Sequence, residues 1–240
     1  SPLTHHDTWS ILADTKNNIW IGSWGGGINK LDSSLNNMTH YHSDKNAPYA
    51  ISSDDIKVII EGENNIFWLG TWNAGLNKIN TLTGEVKQFK VDDNSHSLNS
   101  DSIYSLLLDH NQHLWIGTNG GGLNKFNTVT KEFTDYRIKN HGEFQLTSDK
   151  ITSLYQDKQQ NLWIGTDGNG AFKYSFQTKK LSNYNNSQSS SNRISHNTVR
   201  KFLEDNTGNI WLGTSNGLNR INIEKNIIST WNIANGLPNQ

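Results

Sequence analysis

The chain has 240 residues, a formal net charge of -1 and no cysteine. Near-neutral charge without a basic stripe argues against nucleic acid as a partner, and the lack of cysteine excludes disulfide scaffolds and thiolate metal sites. No apolar run approaches the roughly 20 residues that a membrane-spanning helix needs, so no membrane contact is expected of this segment.

No signal-peptide pattern opens the chain, and Ser1-Pro2-Leu3-Thr4 reads as a point of excision or maturation. A first strand is predicted over Thr8-Trp9-Ser10-Ile11-Leu12, then a turn containing Asp14, then a strand ending in Trp20-Ile21-Gly22-Ser23. That tetrapeptide returns as Trp68-Leu69-Gly70-Thr71, Trp115-Ile116-Gly117-Thr118, Trp163-Ile164-Gly165-Thr166 and Trp211-Leu212-Gly213-Thr214, at intervals of 48, 47, 48 and 48 residues. So regular a period means one structural unit copied five times. The units span 3–50, 51–97, 98–145, 146–193 and 194–236, with 237–240 as the start of a further repeat.

The third unit shows the anatomy. An apolar run over Ser102–Asp109 suits a buried strand, and Asp109-His110-Asn111-Gln112 is a polar turn. His113–Thr118 is a second strand, and Asn119-Gly120-Gly121-Gly122 is a turn in which positive φ costs little. Leu123-Asn124-Lys125-Phe126 alternates as a half-buried third strand, and Phe133 to Ile138 alternates as a fourth. The fourth strand keeps an aromatic residue in every copy: Tyr41, Phe89, Tyr136, Tyr184 and Trp231. Four short strands in about 48 residues predict an all-β propeller built of four-stranded antiparallel blades. The signature residues Trp20, Trp68, Trp115, Trp163 and Trp211 are structural spacers between blades in this reading. The glycine two residues after each allows close approach of a neighbouring backbone.

The pattern Asp-x-x-x-x-Leu/Ile-Trp-Ile/Leu-Gly-Thr, then Gly-Leu-Asn-Lys/Arg, an aromatic residue and Leu-x-Ser-Asp resembles the two-component regulator propeller repeat. Asp109 to Lys125, with Phe133, Tyr136 and Leu146-Thr147-Ser148-Asp149, carries it most fully. The resemblance implies the sensor region of a membrane-bound bacterial signalling protein, such as a hybrid histidine kinase, facing the periplasm. Ligands of that family are often polysaccharide breakdown products, and its propellers typically have about seven blades. The five repeats are then expected to be part of a larger ring, and the full-length receptor is expected to dimerise. The output domain lies outside this chain, so the segment is expected to be no enzyme. No cofactor and no metal are expected; a site from His5, His6 and Asp54 matches no strong metal spacing. The alternatives are a propeller enzyme resembling the streptogramin lyases, or a protein-interaction and dimerisation scaffold.

Ligand-binding candidates come from columns where the copies differ. Four residues after each signature tryptophan stand Trp24, Trp72, Asn119, Asp167 and Ser215. Two tryptophans in turns suggest a platform for a sugar ring, with Asn73, Asn119, Asp167 and Asn169 as hydrogen-bonding neighbours; packing between repeats explains the same residues. The second column, in the first strand, reads Trp9, Lys57, Tyr104, Thr152 and Arg200. Period-two alternation turns it away from the apolar face. Lys57 and Arg200 then offer charge to an anionic ligand while Trp9 and Tyr104 offer stacking surface, or the column lines a water-filled channel.

Overall fold

Tryptophan anchors, short β-rich runs and glycine turns organise the chain into five antiparallel sheets of four strands each. A computed structural model of the protein describes residues 3–92, 97–136, 144, 146, 148–187, 192–233 and 236–237. Among the described residues there is no α-helix. The chain divides into two compact units, Ser1–Asp135 and Tyr136–Gln240.

The first unit holds three sheets in plain up-and-down order: β1 (Thr8–Ala13), β2 (Ile19–Ser23), β3 (Ile28–Leu31) and β4 (Met38–Tyr41); β5 (Ile56–Glu61), β6 (Ile66–Thr71), β7 (Leu76–Asn80) and β8 (Val86–Phe89); β9 (Ile103–Leu108), β10 (His113–Thr118), β11 (Leu123–Asn127) and β12 (Phe133–Asp135). The second unit holds β13 (Ile151–Gln156), β14 (Leu162–Thr166), β15 (Ala171–Ser175) and β16 (Lys180–Tyr184), then β17 (Val199–Glu204), β18 (Ile210–Thr214), β19 (Gly217–Asn222) and β20 (Ile227–Trp231). The fourth strand of the third sheet stops at Asp135, short of the expected Ile138; residues 137–143 lie outside the described set, as do 1, 2 and 238–240.

A sheet this small cannot bury two faces alone, so successive sheets within a unit stack. Trp20 is fully buried and stacks on Phe67 of the next sheet at 4.1 Å between centroids. Trp68 meets Phe126 of the next sheet edge-on at 5.6 Å, and in the second unit Trp163 meets Phe202 at 5.9 Å. In four of the five repeats the indole N–H has a fixed partner six residues earlier: Trp20 Nε1 donates to Asp14 Oδ2 at 2.9 Å, Trp115 to Asp109 at 2.9 Å, Trp163 to Asp157 at 2.8 Å and Trp211 to Asp205 at 2.8 Å. The other oxygen of each carboxylate accepts backbone N–H groups of its own turn, as Asp14 Oδ1 does from Lys16 at 2.9 Å and Asn18 at 2.8 Å. The second repeat has Gly62 at this position and lacks that acceptor.

At Gly22 and Gly70 the glycine after Trp-Ile/Leu makes room for a side chain of the next repeat, and not for its backbone as expected. A Cβ on Gly22 would stand 2.6 Å from Ile56 Cγ2, and one on Gly70 2.5 Å from Ile103 Cγ2. A second device ties the start of the first, second and fifth repeats to their own third strands. Buried Asn77 accepts from Ser52 N and donates to Ser52 Oγ, both at 2.8 Å; Asn29 does the same to Thr4, and Asn219 to Ser195.

An aromatic cluster around Lys57 as candidate functional site

The first strands of the sheets do not alternate as simply as expected. In all five sheets the register slips by one residue near the start of the first strand: between Thr8 and Ser10, Ile56 and Val58, Ile151 and Ser153, Val199 and Lys201, and opposite Gly117 and Thr118. The skipped residues are Trp9, Lys57, Thr152, Arg200 and Tyr104, the whole variable column. A β-bulge leaves its extra residue outside the ladder and re-aims the side chain. The bulge, and not period-two alternation, is therefore what sets this column apart.

One recurring bond carries the strand-one bulge to the turn after the second strand. Trp24 N donates to Asp7 O at 2.9 Å, Trp72 N to Asp55 O at 3.0 Å and Asn119 N to Ser102 O at 2.9 Å. Each places a turn residue beside the bulge of its own sheet. Side chains hold the turn in shape: Thr71 Oγ1 donates to Gly75 O at 2.8 Å and accepts from Ala74 N at 2.9 Å.

The two variable columns thus form one group in the first unit. The Trp9 ring lies 4.5 Å from Trp24 and 5.3 Å from Trp72, and Trp24 lies 5.5 Å from Trp72. Tyr104 stacks on Trp72 at 5.2 Å with 25° between planes. Lys57 stands among them, its Nζ 4.0 Å from the Trp9 centroid and 5.6 Å from those of Trp72 and Tyr104. These separations fall in the range where rings and cations attract one another. Trp9 is 37% exposed, and Trp24, Trp72, Tyr104 and Lys57 are half-buried. The tryptophans of the turns are thus packed against one another while part of their surface stays exposed. Beside them, Gly25 N donates to Asp55 Oδ1 at 2.8 Å, and Asn73 is exposed.

The remaining candidates make hydrogen bonds of their own. Asn119 is half-buried, and its carbonyl accepts from Ser100 Oγ at 3.2 Å. Asp167, Asn169 and Arg200 belong to the second unit. There Asp167 Oδ1 accepts from Thr198 Oγ1 at 2.8 Å, Asn169 N donates to Thr166 Oγ1 at 3.1 Å, and exposed Arg200 donates to Ser215 Oγ at 3.2 Å. The two columns, separate in the sequence, meet both within a repeat, as Trp9 and Trp24 do, and across repeats, as Trp9 and Trp72 do. Among the described residues no three His, Asp or Glu side chains gather as a metal-ligand set, and His5 Nδ1 accepts from Asp7 N at 3.2 Å.

Five four-stranded antiparallel sheets, stacked within each unit through tryptophan spacers, define a β-propeller protein. Three segments, residues 97–120, 145–168 and 193–216, match the family model described as two component regulator propeller. Among solved structures, the chain is similar to extracellular domains ascribed to two hybrid two component systems of B. thetaiotaomicron. For the first the TM-score is 0.79 with 21% identity over 94% of this chain, and for the second 0.76 with 20% identity over 94%. The chain spans only 30% and 31% of those structures' own lengths. It is also similar to virginiamycin B lyase from Staphylococcus aureus, with a TM-score of 0.68 and 16% identity over 96% of this chain and 72% of that one. A comparison with curated proteins gives no match.

Proposed function

We propose that this chain is a ligand-sensing propeller module of a bacterial two-component-type receptor, facing the periplasm, and that it recognises a carbohydrate on the aromatic cluster of its first unit. The observation that carries this is the grouping of Trp9, Trp24 and Trp72 within 5.5 Å of one another with part of their surface open. Core packing alone would bury such rings, and a platform of indole faces suits the apolar face of a sugar ring. The family repeats and the likeness to extracellular domains of hybrid two component systems support the sensor role. Signal output then comes from another part of the receptor, and this segment binds without turnover.

A thermal-shift screen against neutral and acidic oligosaccharides tests the reading. A ligand that binds only the folded state raises the melting temperature by mass action. A saturable rise that disappears in Trp72→Ala supports it. Cooperative melting unmoved by every sugar, or turnover of a sugar by the chain, contradicts it.

A further inference from the structure

We infer that the aromatic cluster selects a sugar ring carrying an anionic substituent, a carboxylate or a sulfate, and that Lys57 is the residue that recognises the charge. The inference rests on the reading of the cluster as a sugar platform and names the class of sugar. Three observations carry it. Lys57 occupies the bulge of β5, where the ladder skips it and its side chain is turned to the rings. The same column holds Trp9 and Tyr104 in the neighbouring sheets of the first unit, so the ammonium stands between aromatic residues at equivalent positions. The ammonium is held over Trp9 at 4.0 Å and flanked by Trp72 and Tyr104 at 5.6 Å, which fixes the flexible lysine stem over the platform.

The energetics favour an anion at this point. A half-buried ammonium packed against ring faces has given up part of its water, and a carboxylate or sulfate oxygen replaces that water with a charge-assisted hydrogen bond. A neutral sugar gains stacking alone. A sugar whose ring lies on Trp72 and whose exocyclic anion reaches Lys57 gains both, a difference worth roughly tenfold or more in affinity.

Isothermal titration calorimetry on the whole chain with matched pairs tests this: galacturonate and glucuronate oligomers against their neutral galactose and glucose counterparts, and a sulfated galactose oligomer against its desulfated form. The expected result is tighter binding of at least one charged member than of its neutral partner, by about tenfold. Lys57→Met, which keeps the stem's length and apolar character, is expected to remove that preference while weak binding of the neutral partner persists; Lys57→Arg is expected to retain it. The carboxylate and sulfate arms show which anion is preferred. Equal affinity within every pair overturns the inference and leaves the sugar platform standing, as does a preference that survives in a folded Lys57→Met chain. Binding by no member of any pair overturns the platform and the inference together.

Discussion

Lys57 and Trp9 stand at the bulges of the first strands of successive sheets, and the ammonium of one lies 4.0 Å from the ring centroid of the other. The pair joins two repeats through side chains that no β ladder holds. A partly exposed cation–π contact is worth about 0.5–2 kcal/mol. Lys57→Met is therefore expected to lower stability by about 1 kcal/mol, measured by urea unfolding followed through tryptophan fluorescence. No change in the midpoint would show that the cation contributes nothing to holding the rings.

The aspartate–tryptophan bond predicts a graded series. Asp157 is buried, takes the indole N–H of fully buried Trp163 at 2.8 Å, and accepts from Asn161 N at 2.8 Å. Asp157→Ala leaves those donors without their acceptor and is expected to cost about 2–4 kcal/mol. Trp211 is only half-buried, so water can replace the lost oxygen and Asp205→Ala is expected to cost less. Denaturant unfolding of the two variants compares them directly; equal costs would refute the role of burial.

The same turns set an acid limit. Side-chain hydrogen bonds from Asn209, Thr207 and Trp211 hold the Asp205 carboxyl well below the usual carboxylate range. At Asp14 burial pushes the carboxyl up, yet the bonds from Trp20, Asn18 and Lys16 outweigh it and leave it lowered. A group whose folded-state pKa is depressed stabilises the fold above its unfolded value, 3.8 for these aspartates, and loses that contribution as pH falls through the folded value. Melting temperature is thus expected to respond little to these groups at neutral pH and to fall as the pH drops below about 4. Asp205→Asn is expected to flatten part of that fall; an unchanged acid slope would contradict the assignment.

The signature glycine predicts opposite outcomes at two equivalent positions. A Cβ at Gly70 meets Ile103 Cγ2 at 2.5 Å and Val58 Cγ1 at 2.7 Å, whereas one at Gly213 meets nothing within 4 Å. Gly70→Ala is expected to destabilise by roughly 1–3 kcal/mol through overpacking. Gly213→Ala is expected to be neutral or slightly stabilising, because it restricts the unfolded chain. Thermal melts of the two variants check the contrast.

Much of the fold is written locally, which is why it can be read from the sequence. The period of the Trp-Ile/Leu-Gly-Thr signature, the glycine turns and the strand-length apolar runs each act within a few residues. The Asp-to-Trp hydrogen bond was also there to be found, as an aspartate six residues before the tryptophan in four of the five copies. The bulge is less legible. Thr8-Trp9-Ser10 and Ile56-Lys57-Val58 read as ordinary alternating strand, and only the partner strand's register reveals the skipped residue. The cluster follows from the bulge, because Trp9, Lys57 and Tyr104 reach the turn tryptophans only when re-aimed. A column alignment compares equivalent positions and cannot see that non-equivalent ones, such as Trp9 and Trp72, meet across repeats. Asp167 and Arg200 were chosen by column alone, and the structure shows them bonded to Thr198 and Ser215.

The most direct test of the sugar platform is fluorine NMR of the chain labelled with 5-fluorotryptophan, titrated with the same oligosaccharides. All nine tryptophans report at once, and single substitutions assign them. The account predicts that the Trp9, Trp24 and Trp72 resonances shift saturably with one sugar class while buried Trp20, Trp115 and Trp163 stay in place. Resonances that move only at Trp211 or Trp231, or nowhere for any sugar, would contradict it.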